Sequence, residues 1–118
     1  LPFDEKSFDA GLLSDTSHHL SDEAFGSVLK KMSRIVSRYI IVSDPVYFPR
    51  QTPLSRFFYG LDRGGCFRTV EQMMAIMRMV PECELVQEVF FVTFPGFYRH
   101  HVFILRVKTP EYERLEKI

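Results

Sequence analysis

The sequence predicts an α/β protein in which about two parallel strands with helices precede a C-terminal antiparallel hairpin. Short apolar runs typical of strands alternate with segments whose apolar residues recur every three or four positions, as in helices. The last two runs are joined by the short segment PGFYRH, which is too short for a parallel crossover. A chain of 118 residues with 46% apolar content can bury the core of one domain, residues 1–118.

The first predicted strand is the apolar run from Phe8 to Leu13. Ser21 then has the side chain of a helix N-cap, and Asp22 and Glu23 place negative charge in the first turn, where the helix dipole favours it. The helix that follows is predicted from apolar residues at spacings of three and four: Phe25, Val28, Leu29, Met32, Ile35 and Val36.

The second predicted strand runs from Arg38 to Asp44. Its continuous apolar run is typical of a central parallel strand that is covered on both faces. Residues 45–68 then lose clear periodicity, so we interpret them as an excursion that covers a binding site, with a short helix around Leu54 to Leu61.

A second main helix is predicted to start at Thr69, because Thr69 and Gln72 have the spacing of a capping box. Pro81 ends it, and its methionines are expected in the core. The last two strands, Glu84 to Phe94 and His101 to Lys108, are expected to pair as an antiparallel hairpin.

Composition argues against several kinds of partner. Fifteen basic residues balance fifteen acidic ones, so no net field attracts the chain to nucleic acid or to an anionic membrane, and no apolar run is long enough to span a bilayer. The start also lacks the pattern of a signal peptide. Cys66 and Cys83 are too few for a disulfide framework, so we expect reduced thiols in a cytoplasmic protein.

An ordered set of motifs resembles one family. LPFDEKSFDAGLLSDTSHHL, then a helix ending in KKMSRIVSRYIIVSD, and later RGGCFRT resemble the middle and end of a class I S-adenosylmethionine-dependent methyltransferase of the type 11/12 group. The resemblance covers almost the whole chain. It implies a Rossmann-like sheet, S-adenosylmethionine as cofactor and transfer of a methyl group to a small-molecule acceptor.

The resemblance also implies that part of such an enzyme is missing. The family's Gly-rich turn and the acidic residues that hold the ribose and the adenine would lie before Leu1, so the chain looks like a C-terminal half. We expect this fragment to be inactive alone, to bind the cofactor poorly and to self-associate through the exposed edge of its first strand.

Residues after the first strand are the candidate catalytic and cofactor-binding groups, because ligands of open α/β sheets lie beyond the carboxyl ends of the strands. Ser14, Asp15 and Thr16 are expected toward the cofactor. His18 or His19 is a candidate general base, since neutral imidazole accepts protons near neutral pH. On an extended segment the two rings would point in opposite directions, so one at most would face the acceptor. The alternative is that one histidine caps a helix and the other packs.

Four residues are candidates for binding the acceptor: Asp44, Tyr59, Arg63 and Arg68. Guanidinium groups beside aromatic rings suit a planar or anionic acceptor, although the arginines could instead be solvated or paired with carboxylates. The adjacent pairs His18–His19 and His100–His101 lack metal-ligand spacing, so no metal is expected. The competing function is a non-catalytic α+β module that acts through protein association or dimerisation.

Overall fold

A computed structural model describes residues 3–48, 51–61, 66–93 and 98–108 of the chain. The elements in chain order are β1 (Phe8–Ser14), a 3₁₀ helix (Ser17–His19), α1 (Asp22–Ile35), β2 (Val36–Tyr47), α2 (Pro53–Leu61), β3 (Arg68–Thr69), α3 (Val70–Arg78), β4 (Cys83–Val92) and β5 (Arg99–Val107).

The strands form one sheet in the order β1-β2-β5-β4, and β3 adds a short parallel pairing to the end of β2. β1 and β2 are parallel, whereas β5 is antiparallel to both β2 and β4. The predicted arrangement of two parallel strands with a C-terminal hairpin is therefore confirmed.

Strand β2 is central, as predicted, but it is longer than expected, and its two faces are buried to different extents. It begins at Val36, directly after α1, and continues to Tyr47. Side chains such as Ile40 and Val42 are fully buried on the helical side, whereas Tyr39 on the other side is exposed. Among the described residues, α1 and α3 contribute to the core on the buried side of the sheet, and the other face of β2 is only partly covered, so cover on both faces stays a prediction.

The helix caps agree with the sequence prediction. The Ser21 side chain accepts a hydrogen bond from the Ala24 backbone N–H, and Thr69 and Gln72 form both hydrogen bonds of the capping box. Helix α1 lies so close to β1 that a Cβ atom on Gly11 would be 2.7 Å from the Met32 side chain. A side chain at position 11 would therefore require the flexible end of Met32 to move and would also lie close to Val36, at 3.1 Å.

The hydrophobic core lies between the sheet and helices α1 and α3. Its largest members include Phe25, Leu29 and Phe103, which are fully buried. Met73 and Met77 are also buried, which confirms that these methionines are core residues. Cys66 and Cys83 are free thiols, as expected.

Strand β1 pairs with β2 alone among the described residues, so its outer edge is open there. Leu12 on this strand is 65% exposed. Self-association through this edge stays a prediction. Within the described residues, no helix is long and apolar enough to cross a bilayer.

Candidate functional site

A cavity of about 380 Å³ lies where β1 and β2 end and the β4–β5 hairpin begins to turn. Its lining combines one carboxylate, three imidazoles and several uncharged groups: Asp15, His18, His19, Pro45, Thr93, Tyr98 and His100. The carboxyl ends of parallel strands are where open α/β sheets bind ligands, so we take this cavity as the candidate site.

The floor of the site is a buried polar cluster around Asp44. One carboxylate oxygen lies 2.7 Å from His18 Nδ1, and the other accepts a short hydrogen bond from the Ser17 hydroxyl. Burial raises the pKa of the Asp44 carboxyl, while the bonds from Ser17 and His18 act in the opposite direction. Asp44 therefore lies beneath the cavity and holds His18, instead of lining the cavity as a predicted acceptor contact would.

His18 and His19 are on a 3₁₀ helix and not on an extended segment. Their rings are 4.2 Å apart, and both residues line the cavity. The predicted extended conformation is therefore wrong, whereas the prediction that at most one ring faces the acceptor stays a prediction. His18 is buried and stacks on Phe67 at 4.7 Å, whereas His19 is exposed. In a 3₁₀ helix successive side chains are about 120° apart, so neighbouring rings can approach each other more closely than on an extended backbone, where they point to opposite faces.

Asp15 has an unusual backbone conformation at the rim of the cavity. Its φ angle of 52° lies in the left-handed region, which residues other than glycine rarely adopt. The Asp15 N–H donates to the Ser43 carbonyl, and its carboxylate lies 3.1 Å from His100 Nε2. Such strain persists where surrounding contacts hold it, and it is common at functional sites.

The other two predicted cofactor contacts, Ser14 and Thr16, flank Asp15. The Ser14 hydroxyl donates to the Asp15 carboxylate, and the Thr16 hydroxyl donates to the Ser14 carbonyl at 2.8 Å. These bonds fix the turn that follows β1 and so orient Asp15.

Tyr59, a predicted acceptor contact, lies behind the cavity and does not line it. Its hydroxyl donates to the Val46 carbonyl at 2.8 Å, and burial raises its pKa to about 12. Tyr59 stacks on Tyr98, which does line the cavity, and the Tyr98 hydroxyl donates to the Phe58 carbonyl. Helix α2 is therefore connected to the site through Tyr98.

Arg68, another predicted acceptor contact, is almost fully engaged by protein oxygens. Its guanidinium donates to the carbonyls of Ser17, Leu20 and Cys66, and its Nε lies 2.8 Å from the Asp22 carboxylate. Only 6% of Arg68 is exposed, so little of it remains for an acceptor. Arg63 lies outside the described residues. The acceptor-binding roles of both arginines stay predictions.

Sequence reasoning missed His100, Tyr98, Thr93 and Pro45 as lining residues. Asp15 and His100 are 85 positions apart, and their contact depends on the β2–β5 register, which places His100 opposite Pro45. The sequence offered one signal for this contact: His100 lies at the start of the last strand, β5, which proves to pair with the central strand β2. Among the described residues no cluster of His, Cys, Asp and Glu could hold a metal ion.

A larger cavity of about 630 Å³ lies between α1 and α3, far from the strand ends. Gly26, Ala75 and Val80 contribute to its lining, which contains no histidine or cysteine. Size alone does not make it a reaction site, because its lining contains no imidazole that could act as a base near neutral pH.

Stability is expected to fall as the pH drops below the ordinary histidine pKa of 6.5, because of His101. His101 is buried, and burial lowers its pKa; Arg99 acts in the same direction, whereas Glu88 and Glu71 oppose it. Below pH 6.5, His101 therefore binds a proton more readily in the unfolded chain than in the folded chain, and this difference favours unfolding. Urea unfolding on both sides of this pH measures the effect.

The matched variant is His101→Phe, which keeps an aromatic ring between Phe90 and Phe103. It should flatten this part of the pH dependence, because the group whose pKa is lowered on folding is removed. An unchanged slope in His101→Phe would assign the pH dependence to other groups.

The chain was compared with protein families, curated proteins and solved structures. No family model and no curated protein matches it. Solved structures do match, among them an S-adenosylmethionine-dependent methyltransferase from Methanosarcina mazei, with a TM-score of 0.69, 13% identity and coverage of 91% of this chain and 62% of that one. Magnesium protoporphyrin IX methyltransferase from Synechocystis with bound S-adenosylhomocysteine matches with a TM-score of 0.64 and 14% identity, over 91% of this chain and 48% of that chain.

A protein of different activity has the same fold. The cyclase SpnF matches with a TM-score of 0.67 and 11% identity, over 92% of this chain and 53% of its own. In each of these three matches, this chain therefore spans less than two thirds of the matched structure. At such low identity the likeness establishes the fold alone: this chain has the Rossmann-like fold of class I S-adenosylmethionine-dependent methyltransferases.

Proposed function

We propose that the protein is an S-adenosylmethionine-dependent methyltransferase in which this chain forms the acceptor side of the site. The main support for this proposal is the cavity at the ends of β1 and β2, which is lined by Asp15 and three histidines. The acceptor is a small molecule, because a cavity of about 380 Å³ is near the lower end of the range for ligand pockets. Free Cys66 and Cys83 support the cytoplasm as the compartment.

The described residues fit one part of the cofactor. The side chain of Asp15 is 57% exposed, and its carboxylate has the charge that suits the sulfonium and ammonium groups of S-adenosylmethionine. Ser14 and Thr16 would support this contact by holding the turn that presents Asp15. When bound, S-adenosylmethionine supplies an electrophilic methyl group.

His19 is the general base in this proposal. It is exposed and lines the cavity, so it can take the proton that an acceptor O–H or N–H loses on methylation. His18 acts as a positioning residue, because Asp44 and Phe67 hold its ring against that of His19. Tyr98 and Pro45 provide flat walls suited to a planar acceptor.

In the full-length protein, His19→Ala should lower turnover by about 100-fold while the cofactor dissociation constant stays nearly unchanged. The physical reason is that a base acts in the transition state and adds little to ground-state binding. Calorimetry measures cofactor binding, and release of S-adenosylhomocysteine over a panel of phenols, amines, thiols and carboxylates measures turnover.

His19→Gln is the matched variant, since it keeps polarity and approximate size but cannot serve as a base at neutral pH. Unchanged turnover in both His18→Ala and His19→Ala would remove these histidines as bases. Cofactor binding without any methyl transfer would contradict the proposal and favour a cyclase, the activity of the structural neighbour SpnF. Absence of cofactor binding would favour the interaction module.

A further inference from the structure

Helix α2 exposes large apolar side chains, unlike the other two helices. Ser55 and Tyr59 face the interior and are almost fully buried. Leu54, Phe57 and Leu61 are 52%, 59% and 63% exposed. Helices α1 and α3, by contrast, bury apolar residues such as Phe25 and Met73 and expose charged ones.

The three exposed side chains form a single stripe, which we call the α2 stripe: Leu54, Phe57 and Leu61. Their spacing of three and four positions places them on one face of the helix. An isolated exposed leucine needs no explanation, but three large apolar residues on one helical face indicate a surface that contacts something apolar.

The charged residues on α2 and beside it in sequence favour a partner with negative charge. Arg56 is exposed on the same helix, and its guanidinium lies over the Tyr47 ring at 5.5 Å. The sequence RQTPLSRFFYGLDR, residues 50–63, contains three arginines and one aspartate, whereas the whole chain has a net charge of zero. Apolar residues combined with basic ones are typical of helices that lie in the interface of an anionic membrane.

We propose that the α2 stripe docks on an anionic lipid surface. The helix would lie in the plane of the interface, with Leu54, Phe57 and Leu61 among the acyl chains and Arg56 near the lipid headgroups. Because the net charge of the chain is zero, an anionic membrane would not attract the chain as a whole, but the sequence segment that contains α2 carries a net positive charge. With three apolar side chains, binding would be weak and reversible, no stronger than the roughly 10⁴ M⁻¹ of a single myristoyl chain.

The position of α2 would give this contact a consequence for the candidate site. The Tyr98 hydroxyl donates to the Phe58 carbonyl of α2, and Tyr98 lines the cavity. Docking of the α2 stripe would therefore bring the cavity close to the lipid surface. The lipid contact itself does not depend on methyl transfer.

The test measures partition of the full-length protein onto vesicles of phosphatidylcholine containing about one fifth phosphatidylserine. We expect wild-type protein to sediment with these vesicles, and Phe57→Glu to lower the partition coefficient by at least about tenfold. Arg56→Gln should weaken binding to the anionic vesicles without changing binding to pure phosphatidylcholine.

Met79→Glu is the matched control, because Met79 is an apolar residue that is 82% exposed and follows α3 instead of lying on α2. It should change partition by less than about twofold. Equal partition of wild type and Phe57→Glu, or no partition of either, would overturn the proposal. A dimer without lipid that Phe57→Glu dissociates would also overturn it and assign the α2 stripe to a second copy.

Discussion

Arg68→Met should lower the free energy of unfolding by about 3 kcal/mol, because it removes the hydrogen bonds that the buried guanidinium donates to three backbone carbonyls. The guanidinium of Arg68 joins the carbonyls of Ser17, Leu20 and Cys66, which belong to segments that are distant in sequence. Its ion pair with Asp22 adds little, because the Asp22 side chain is 74% exposed. Urea unfolding measures the loss.

Arg78→Met is the matched control for Arg68→Met. Arg78 is an exposed residue in the last turn of α3, so its loss should change stability by less than about 0.5 kcal/mol. If Arg68→Met unfolded at the wild-type urea concentration but raised the KM for an acceptor, Arg68 would be an acceptor-binding residue.

Asp44→Ala should also destabilise the fold, by about 3 kcal/mol. The change removes the acceptor for both the Ser17 hydroxyl and the His18 ring N–H, and all three residues are buried. Each unpaired buried donor costs about 1–3 kcal/mol. The 3₁₀ helix would then lose its polar anchor on β2, so the effect should extend to the candidate site.

The matched control is Asp4→Ala, an exposed position on the segment before β1. Urea unfolding compares the two variants, and Phe67 ring resonances report on the position of His18, which stacks on this ring. Wild-type stability in Asp44→Ala would show that water or other groups satisfy Ser17 and His18, and that the buried cluster contributes little.

Local signals explain what the sequence predicted well. The capping box of Thr69 and Gln72 spans four residues and was confirmed, because both of its hydrogen bonds form within one helical turn. The hairpin of β4 and β5 followed from the short link between two apolar runs. Neither prediction needed information about distant parts of the chain.

The missed features depend on tertiary contacts or on very short segments. The 3₁₀ helix Ser17–His19 and the strand Arg68–Thr69 are too short for periodicity to reveal. The contact of Asp15 with His100 depends on sheet register, and the four hydrogen bonds of Arg68 depend on loops that converge in space. The sequence placed His18 and Asp44 near the site because they lie at or after the ends of predicted strands. Their hydrogen bond to each other is visible only in the folded structure.

The separation of 85 residues between Asp15 and His100 has a kinetic consequence. The β4–β5 hairpin can form early, because its strands are close in sequence, whereas the cavity needs both β1 and β5 to be paired with β2. Closing so long a loop costs entropy that only the completed sheet offsets. The cavity is therefore one of the last parts of the molecule to form, and a chain still emerging from the ribosome cannot present it until residue 100 has been synthesised and β5 has joined the sheet.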